Sequence, residues 1–318
     1  MLRAKISGIG MYVPENIYTN NDLTKYMDTS DEWIKSRTGI TQRHIAATDE
    51  FTSHLGYNAA LQAIASAQIQ KGDIDLIITC TNTSDNSFPS TANKIHGYLG
   101  LKHIPSFDLQ AICSGFIYGL QVADGMIKSG KYKTILLICA DKMSSILDWQ
   151  DRKTCVLFGD GAGAVILQKS ESNSGIIDCD IFSDGSLSDI LYTDGGVSTN
   201  GKSGVVKMAG AEVFKKAVEK MPESVYNILK KNNLTLGDVT YIIPHQANLR
   251  IISNMINQFA INPDKVIVTL DKHANCSAAS IPLALAQLEL TGKIKSGDIL
   301  VFTAFGAGAT WGAAIVRW

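Results

Sequence analysis

The strongest restriction on the fold comes from an internal repeat. Three segments of the first half recur in the same order in the second: IDLIITCTNT (74–83) matches VTYIIPHQAN (239–248), DLQAICSGFIYGL (108–120) matches DKHANCSAASIPLAL (271–285), and FGDGAGAVIL (158–167) matches FGAGATWGAAIV (305–316). The first residues of the matched segments are 165, 163 and 147 residues apart. Each match is weak alone, but three ordered matches at similar offsets predict a duplicated unit.

Short apolar runs rich in β-branched residues alternate with longer helical patterns in both halves. Strands are predicted at KISGIGMYV, DLIITC, residues 104–109, TILLICA, GAVILQ, GIIDCDIF, VTYIIPH, VIVTL, DILVFTAF and GAAIVRW. Helices are predicted at FTSHLGYNAALQAIASAQI and FIYGLQVADGMIKSG. This alternation predicts an α/β protein with largely buried sheets. The polar stretch KSESNSG near residue 170 suggests two halves, 1–171 and 172–318.

The composition is that of a folded protein with a large core, since 45% of the 318 residues are hydrophobic and 19% are charged. The net charge of −1 shows no basic excess, so neither nucleic acid nor a membrane surface is an expected partner. The first residues, MLRAKISGIG, turn polar too soon for a signal peptide, and no apolar run reaches the ~20 residues of a membrane span. We therefore expect a cytoplasmic protein.

The cysteines are scattered, without a CxxC pair or the spacing of metal ligands. In a chain with no secretion signal we expect reduced thiols, most of them in the core. They are Cys80, Cys113, Cys139, Cys155, Cys179 and Cys276. No metal site is expected.

Cys113 lies at the predicted turn between strand 104–109 and helix 114–128. A thiol at a helix N-terminus feels the positive end of the helix dipole, which lowers its pKa and favours the thiolate. Ser114 and Gly115 allow a substrate to approach the backbone, whose N–H groups can stabilise an oxyanion. The alternative is that Cys113 is an ordinary core thiol, and this segment alone supports both interpretations equally. Cys276 is matched with Cys113 in the repeat, and it shows that a cysteine at this position can have a purely structural role.

Two further residues could serve a nucleophilic cysteine. His245 follows the buried run YIIP and precedes a helix, and strand-to-helix loops of this kind carry chemistry in α/β folds. Asn275 is within reach of the Cys113 turn if the halves pack as pseudo-symmetric mates, although it also suits a helix cap. Arg250, in the first turn of a helix capped by Asn248, is disfavoured by the dipole unless it meets an anion, although surface arginines are more common. The glycine-rich segments FGDGAG and FGAGATWG read as hairpin turns rather than phosphate loops.

Cys113, PHQANLR (244–250), DKHANCSAAS (271–280) and AFGAGATWG (304–312) together resemble the condensing enzymes of the thiolase fold, most of all β-ketoacyl-acyl-carrier-protein synthase III. The likeness runs essentially end to end and includes TSDEWIKSRTGI (29–40), FPSTA (88–92) and MAGAEVFK (208–215). It implies an α/β thiolase fold, with two pseudo-symmetric halves packed as a five-layer α-β-α-β-α sandwich. It also implies a homodimer.

The resemblance implies a decarboxylative Claisen condensation that initiates fatty acid synthesis. Cys113 would take an acyl group, most typically acetyl, from coenzyme A. His245 and Asn275 would stabilise the enolate formed when malonyl-acyl-carrier protein loses CO₂, and its attack would give acetoacetyl-acyl-carrier protein. The amides of Cys113 and Ala307 would form an oxyanion hole, with Phe305 beside the nucleophile. Loss of CO₂ drives the reaction, so no metal or redox cofactor is expected.

The resemblance also assigns the binding of coenzyme A. Trp33 and Arg37 are four residues apart on one helical face, behind a possible capping box of Thr29 and Glu32. With Arg152, this pair would hold the nucleotide end by stacking and by guanidinium–phosphate pairing. The pantetheine tunnel would be lined by Gly210, Ala247 and Asn248.

Two further roles concern protein partners. Phe88 would reach across the dimer and close the acyl pocket of the second subunit. The acidic carrier protein would dock on Arg250, Lys215 and Lys216, because Asn257 and Gln258 stand where some relatives carry a lysine pair. The sequence departs from the family at two other positions. Ala211 stands where relatives often carry an asparagine, and Ala307 stands where they often carry a glycine. Alanine at 307 is free of backbone strain only if its φ is negative.

Several alternatives remain open. A relative on the same fold could make another product, such as a quinolone signal or a biotin precursor. A non-catalytic acyl-binding protein is disfavoured by the intact set of Cys113, His245 and Asn275. A thiol redox sensor would need a resolving cysteine, for which Cys276 is the candidate. Thiolases, hydroxymethylglutaryl-coenzyme A synthases, chain-elongating synthases and plant-type polyketide synthases differ in catalytic residues or length.

Overall fold

The computed structural model describes residues 2–318. The strands are β1 (Arg3–Tyr12), β2 (Ile17–Thr19), β3 (Gln42–His44), β4 (Leu76–Cys80), β5 (Ser106–Leu109), β6 (Thr134–Asp141), β7 (Gly161–Ser170), β8 (Gly175–Ser183), β9 (Leu191–Thr193), β10 (Val206–Met208), β11 (Tyr241–Pro244), β12 (Ile299–Gly306) and β13 (Thr310–Arg317). The α-helices are α1 (Asn20–Leu23), α2 (Asp31–Thr38), α3 (Thr52–Ser66), α4 (Thr91–Leu99), α5 (Gly115–Lys128), α6 (Gly210–Lys231), α7 (Leu249–Phe259), α8 (Leu270–His273) and α9 (Ser280–Leu290).

Two sheets of matching topology form the frame. The first has the order β1-β7-β6-β4-β5, with antiparallel pairing at β1/β7 and β7/β6 and parallel pairing beyond. The second has the order β8-β13-β12-β11, antiparallel twice and then parallel. A single parallel bridge between Ile242 and Val266 stands where β5 stands in the first sheet. The shared order and direction confirm the predicted duplication.

Apolar faces on both sides of both sheets explain the layering. Helices α3 and α4 bury Ala59, Ala63 and Ile95 against the outer face of the first sheet. Helices α5 and α9 lie between the sheets and pack against strands of both, in one continuous core. Helices α6 and α7 cover the outer face of the second sheet. The α-β-α-β-α sandwich is therefore confirmed. The boundary at 171/172 stays a prediction, since the inner helices tie the halves together.

The register of the repeat differs from the sequence match at the Cys113 turn. A 3₁₀ turn, Ile112–Ser114, leads into α5, and its counterpart, Ser277–Ala279, leads into α9. These turns begin at residues 112 and 277, and β4 and β11 begin at 76 and 241, so both offsets are 165. The structural mate of Cys113 is therefore Ala278, and the match to Cys276 is wrong by two residues.

Most predicted strands are confirmed, and the exceptions have physical causes. VIVTL contributes only the bridge at Val266, because α8 begins at Leu270 and leaves no length for a strand. FGDGAG does not turn a hairpin, since it follows the irregular segment after β6 and enters β7 directly. FGAGATWG does turn the hairpin between β12 and β13. No helix within residues 2–318 is both long and apolar enough to cross a membrane.

The carboxyl ends of the parallel strands of both sheets lie in one region. Thr81 and Asn82 follow β4, the Cys113 turn follows β5, and Asp141 ends β6. In the second half, His245 follows β11 and Ala307 follows β12. Loops at the carboxyl ends of parallel strands form the sites of open α/β sheets, and here two such edges meet.

Candidate active site

The Cys113 turn is held in a tight and unusual backbone. Ile112 has φ 48°, a left-handed conformation that a β-branched residue rarely adopts. The turn abuts Gly306, where a Cβ atom would lie 2.9 Å from the Cys113 amide nitrogen and 3.2 Å from its Cβ. Only glycine leaves room for this approach. The hairpin residue Thr310 joins the two segments, because its hydroxyl donates to the carbonyls of Ala111 and Ala307, each at 3.0 Å.

Two backbone N–H groups at this junction remain available to a ligand. Within residues 2–318, neither the Cys113 N–H nor the Ala307 N–H donates to a protein acceptor. Ala307 is absent from the residues of positive φ, so alanine meets no backbone strain in the place of a glycine. Both residues border one cavity. Two free N–H groups beside a thiol can bind an oxyanion that forms there.

The thiol itself is neutral at rest. Cys113 is 5% exposed, and this burial raises the pKa of its thiol to about 12. The sequence-based expectation of a lowered pKa is therefore wrong for the free protein. Desolvation of a thiolate outweighs the helix dipole and the nearby Ser277 side chain, which acts in the opposite direction. The proton must leave when the sulfur attacks.

His245 and Asn275 present neutral groups to the same chamber. Burial lowers the pKa of His245 to about 3, so the imidazole is uncharged at neutral pH. The Oδ1 atom of Asn275 accepts the Ser277 N–H at 2.8 Å, which leaves the Nδ2 donors for a ligand. The Asn275 backbone is fixed on both sides by bonds with Leu157 and Gly159. A neutral donor pair can stabilise negative charge on one oxygen without a competing ion pair.

Three cavities join in series at this point. The reaction chamber is lined by Cys113, His245, Asn275, Phe305 and Ala247, among others. It shares Leu157, Met208, Gly210, Phe214 and Asn248 with an outer cavity that opens between α2, α6 and α7. On the other side it shares Cys113, Phe158 and Leu191 with an inner cavity. An elongated ligand can therefore run from the surface past the thiol.

The outer cavity has a stacked cation–aromatic group at its rim. The guanidinium carbon of Arg37 lies 4.9 Å from the Trp33 ring centroid, and that of Arg152 lies 4.7 Å from it. Arg152 also donates to the Asp28 carbonyl at 2.8 Å. The N-cap of α2 is Ser30, which accepts from the Trp33 N–H, so the expected capping box at Thr29 is wrong.

Of the candidate docking residues, Arg250 lies at the same rim. Arg250 borders the outer cavity, and its Nη2 donates to the Ser36 carbonyl at 3.2 Å, in the last turn of α2. That contact offsets the unfavourable place of Arg250 in the first turn of α7, where Asn248 is the N-cap as predicted. On α6, Lys216 pairs with Glu219 at 3.8 Å, whereas Lys215 joins no salt bridge within the described chain. Phe88 is far from these residues in sequence and is 86% exposed.

Sequence reasoning missed a polar group behind the thiol. Asn82 borders the inner cavity with Cys113; its N–H donates to Asp141 Oδ1 at 2.8 Å and its Nδ2 donates to Ser277 Oγ at 3.2 Å, and both of these partners are fully buried. Asp141 ends the apolar run TILLICAD, and an acid at the carboxyl end of a buried strand was the available signal. The Cys276 thiol contacts the His273 carbonyl at 3.2 Å.

Comparison with known proteins agrees with this architecture. The family model for 3-oxoacyl-[acyl-carrier-protein] synthase III matches residues 107–185, and the model for its C-terminal part matches residues 229–318. The β-ketoacyl-[acyl-carrier-protein] synthase III of Rickettsia felis is 60% identical over 317 residues, covering 100% of both chains.

Solved structures give the same answer. The 3-oxoacyl-[acyl-carrier-protein] synthase III of Aquifex aeolicus is 45% identical with a TM-score of 0.95, covering 99% of this chain and 100% of that one. The enzyme of that name from Pseudomonas aeruginosa is 39% identical with a TM-score of 0.94, covering 99% and 98%. With this similarity over its whole length, the chain belongs to the β-ketoacyl-acyl-carrier-protein synthase III family.

Proposed function

We propose that the protein condenses an acyl-coenzyme A primer, acetyl-coenzyme A above all, with malonyl-acyl-carrier protein. The products are acetoacetyl-acyl-carrier protein, free coenzyme A and CO₂, in the step that initiates fatty acid synthesis. The observation that carries the proposal is the reaction chamber, in which Cys113 shares one cavity with His245 and Asn275. A thiol nucleophile beside two neutral donors fits a reaction with an acyl-enzyme and an enolate.

In the first half-reaction, the Cys113 sulfur attacks the thioester carbon of the primer. Negative charge develops on the thioester oxygen, and the amides of Cys113 and Ala307 are free to bind it. Collapse of the tetrahedral intermediate expels coenzyme A as a thiolate and leaves an acyl-cysteine. The acyl chain then lies towards the inner cavity, whose walls include Met143, Ile146 and Leu191.

In the second half-reaction, the malonyl thioester enters through the outer cavity. His245 and Asn275 donate to its carbonyl oxygen, so that loss of CO₂ leaves an enolate held by two hydrogen bonds. The enolate carbon attacks the acyl-cysteine, and Cys113 leaves as a thiolate. The pKa of His245, lowered to about 3 by burial, keeps the imidazole uncharged at neutral pH, so that its single N–H is the donor to the enolate oxygen.

The direct test incubates the protein with acetyl-coenzyme A and malonyl-acyl-carrier protein and follows the carrier by mass spectrometry. We expect acetoacetyl-carrier, with one CO₂ released per molecule. A product seen only with a longer or branched acyl-coenzyme A would keep the reaction and change the primer. No product with any acyl-coenzyme A would contradict the proposal and favour an acyl-binding protein.

The rim of the outer cavity is proposed to hold coenzyme A through Trp33, Arg37 and Arg152. The indole is already covered by two guanidinium groups, so an adenine ring can replace one of them as the stacking partner while the displaced group pairs with a phosphate. Gly210 and Asn248 line the path from there to the chamber, and Ala247 lines the chamber itself.

Replacing Trp33 with alanine should raise the KM for acetyl-coenzyme A about tenfold and leave kcat nearly unchanged. The stack is remote from the thiol and contributes equally to binding in the ground state and the transition state. Initial rates at saturating malonyl-carrier measure the effect. Trp149, which packs against Tyr18 and Tyr26 outside the cavity, provides the matched control. A fall in kcat with unchanged KM would contradict this role.

The carrier protein is proposed to dock at the mouth of the outer cavity on Arg250, Lys215 and Lys216. Acidic partners favour cations that have no internal carboxylate partner. Within residues 2–318, Arg250 and Lys215 form no salt bridge, and Lys216 has only the 3.8 Å pair with Glu219. Lys220, in contrast, is held by Glu219 and Glu223.

A homodimer is proposed from the free edge of the first sheet. Strand β5 pairs only with β4, so its other edge is open among the described residues. Asp108 on β5 accepts the N–H groups of Thr91 and Ala92 at the start of α4, which keeps the Phe88 loop beside this edge. Pairing of β5 with its copy would continue the sheet and bury Phe88 against the partner's inner cavity.

No metal or redox cofactor is proposed, and the protein is proposed to act in the cytoplasm.

A further inference from the structure

Arg43 is a buried cation that the reaction described so far does not use. It is the middle residue of β3 and is 0% exposed. No ion pair within residues 2–318 includes it, and its Nε atom has no hydrogen-bond partner in that part of the chain. Burial of an unpaired charge is unfavourable unless hydrogen bonds compensate for it, so the bonds that Arg43 does form indicate its role.

Both hydrogen bonds of Arg43 go to backbone carbonyl oxygens. Its Nη1 donates to Tyr18 at 3.3 Å, in the strand β2 that pairs with β3. Its Nη2 donates to Val156 at 3.0 Å, in the 3₁₀ turn Cys155–Leu157, which lies 113 positions further along the chain. Hydrogen bonds from a charged donor are stronger than those from a neutral one. Arg43 therefore fixes this distant turn to the β2–β3 pair.

The residues that follow Val156 hold the backbone of Asn275. The Asn275 N–H donates to the Leu157 carbonyl at 2.9 Å, and the Gly159 N–H donates to the Asn275 carbonyl at 3.1 Å. Phe158 and Asn275 thus form a parallel bridge. Residues 155–159, here called the anchor segment, are joined to Arg43 at one position and to Asn275 at the next.

The segment before β3 contacts the Asn275 loop from a second side. The N–H and the hydroxyl of Thr41 both donate to the Asp271 carbonyl in α8, at 2.9 and 2.7 Å. The anchor segment lies between the two, since a Cβ atom on Gly159 would be 3.0 Å from Arg43 Cβ and 2.7 Å from the His273 carbonyl oxygen. With no space between these backbones, a shift of the anchor segment must displace the loop that carries Asn275.

We propose that Arg43 is a positioning residue for Asn275, because it fixes the anchor segment that sets where the Asn275 amide meets the malonyl thioester oxygen. Arg43 lines neither the reaction chamber nor the inner and outer cavities, so it acts only through this segment. The proposal rests on the proposed function, in which Asn275 is one of two donors to the enolate. A displacement of about 1 Å in such a group can lower a rate on the order of 10²-fold.

The nucleophile has a separate support. The Cys113 turn abuts Gly306, and Thr310 joins that turn to Ala307 through its hydroxyl. None of these contacts includes Arg43 or the anchor segment. Loss of the Arg43 bonds should therefore slow decarboxylation and condensation more than acylation, an unequal effect that a general loss of structure would not give.

The test replaces Arg43 with methionine, which keeps an unbranched apolar stem and removes both donors. Release of CO₂ from saturating malonyl-carrier, without any acyl-coenzyme A, should slow on the order of 10-fold. Transfer of acetyl from acetyl-coenzyme A to Cys113, followed by rapid-quench mass spectrometry, should stay within about twofold. Arg317→Met is the matched control, because the Arg317 Nε is also buried without a partner within residues 2–318, but Arg317 lies at the end of β13 opposite Thr310. It should leave both rates unchanged.

A double-mutant cycle tests whether the effect passes through Asn275. Asn275→Ala removes the amide that is positioned, so the addition of Arg43→Met should change its residual decarboxylation by less than about twofold. A further loss as large as in the wild-type background would show that Arg43 acts elsewhere and would overturn the proposal. Equal falls in acylation and decarboxylation in Arg43→Met alone would overturn it as well, since they indicate a general loss of structure.

Gly159→Ala serves if Arg43→Met does not fold. Its Cβ would press on the His273 carbonyl and displace the anchor segment without a change at the arginine, so the same selective loss of decarboxylation is expected. Unchanged decarboxylation in this variant would overturn the role of the anchor segment. A wild-type protein that neither takes an acetyl group nor decarboxylates malonyl-carrier would overturn the proposed function and this proposal together, whereas an active wild type with no unequal effect in the variants overturns this proposal alone.

Discussion

Replacing Cys113 with alanine is expected to abolish acyl-enzyme formation and condensation while the protein still folds. The substitution removes the sulfur that forms the covalent bond, and no other thiol within residues 2–318 borders the reaction chamber. The side chain is small, so the loss of packing costs about 1 kcal/mol. Intact-protein mass spectrometry after incubation with acetyl-coenzyme A, with peptide mapping, should show one acetyl group on Cys113 in the wild type and none in the variant.

Decarboxylation provides the internal control for this experiment. His245 and Asn275 remain in place in Cys113→Ala, so the variant should still release CO₂ from malonyl-carrier. Cys276→Ser is the matched thiol control, because Cys276 is also fully buried and its sulfur contacts the His273 carbonyl, a bond that a hydroxyl can keep. It should retain acylation. An acetyl group that persists in Cys113→Ala, or a disulfide that disappears in Cys276→Ser, would contradict the nucleophile assignment and favour the alternatives.

The fold could be predicted because the alternating pattern occurs twice and the apolar runs match the buried strands. The register of the repeat could not be predicted, because the dipeptide Cys-Ser occurs at two positions that are not equivalent in the structure. The starts of the helices align Cys113 with Ala278 instead of Cys276. Sequence identity at two residues is weaker evidence of equivalence than the position of a turn relative to its strand and helix.

The candidate active site, too, could be predicted only in part from the sequence. Residues that follow strands, such as His245, could be predicted because parallel strands bring their carboxyl ends together. The pKa of Cys113 could not, because its sign depends on how completely the thiol is removed from water, and only the packed structure gives that exposure. Asp141 and Ser277 were missed for a related reason: they are 136 positions apart in the chain, and both come to bond Asn82 only through the packing of the two halves.

Replacing His245 with alanine should lower the rate of condensation by on the order of 10²- to 10³-fold, as expected when one donor to a developing oxyanion is lost. Acylation of Cys113 should change little, so that a stoichiometric acetyl-enzyme forms and then persists when malonyl-carrier is added. Single-turnover mass spectrometry measures both steps. His273→Ala is the matched control, because burial also lowers the pKa of His273, to about 4, but that ring packs at a tilt against His44 and does not line the chamber.

The two histidines also contribute a pH dependence of stability whose sign follows from their pKa values. Both pKa values are lower in the folded protein than the ordinary 6.5, so these two sites bind more protons in the unfolded chain below that pH, and their contribution to stability should decrease as the pH falls from 6.5 towards 4. The His245→Ala variant should lose less stability over this range. If acylation were the step that slows in His245→Ala, the imidazole would be the base for Cys113, and its assignment to enolate stabilisation alone would be wrong. A block at condensation with a stable acyl-enzyme instead shows that the histidine acts on the enolate, because the thiol is then acylated without the imidazole.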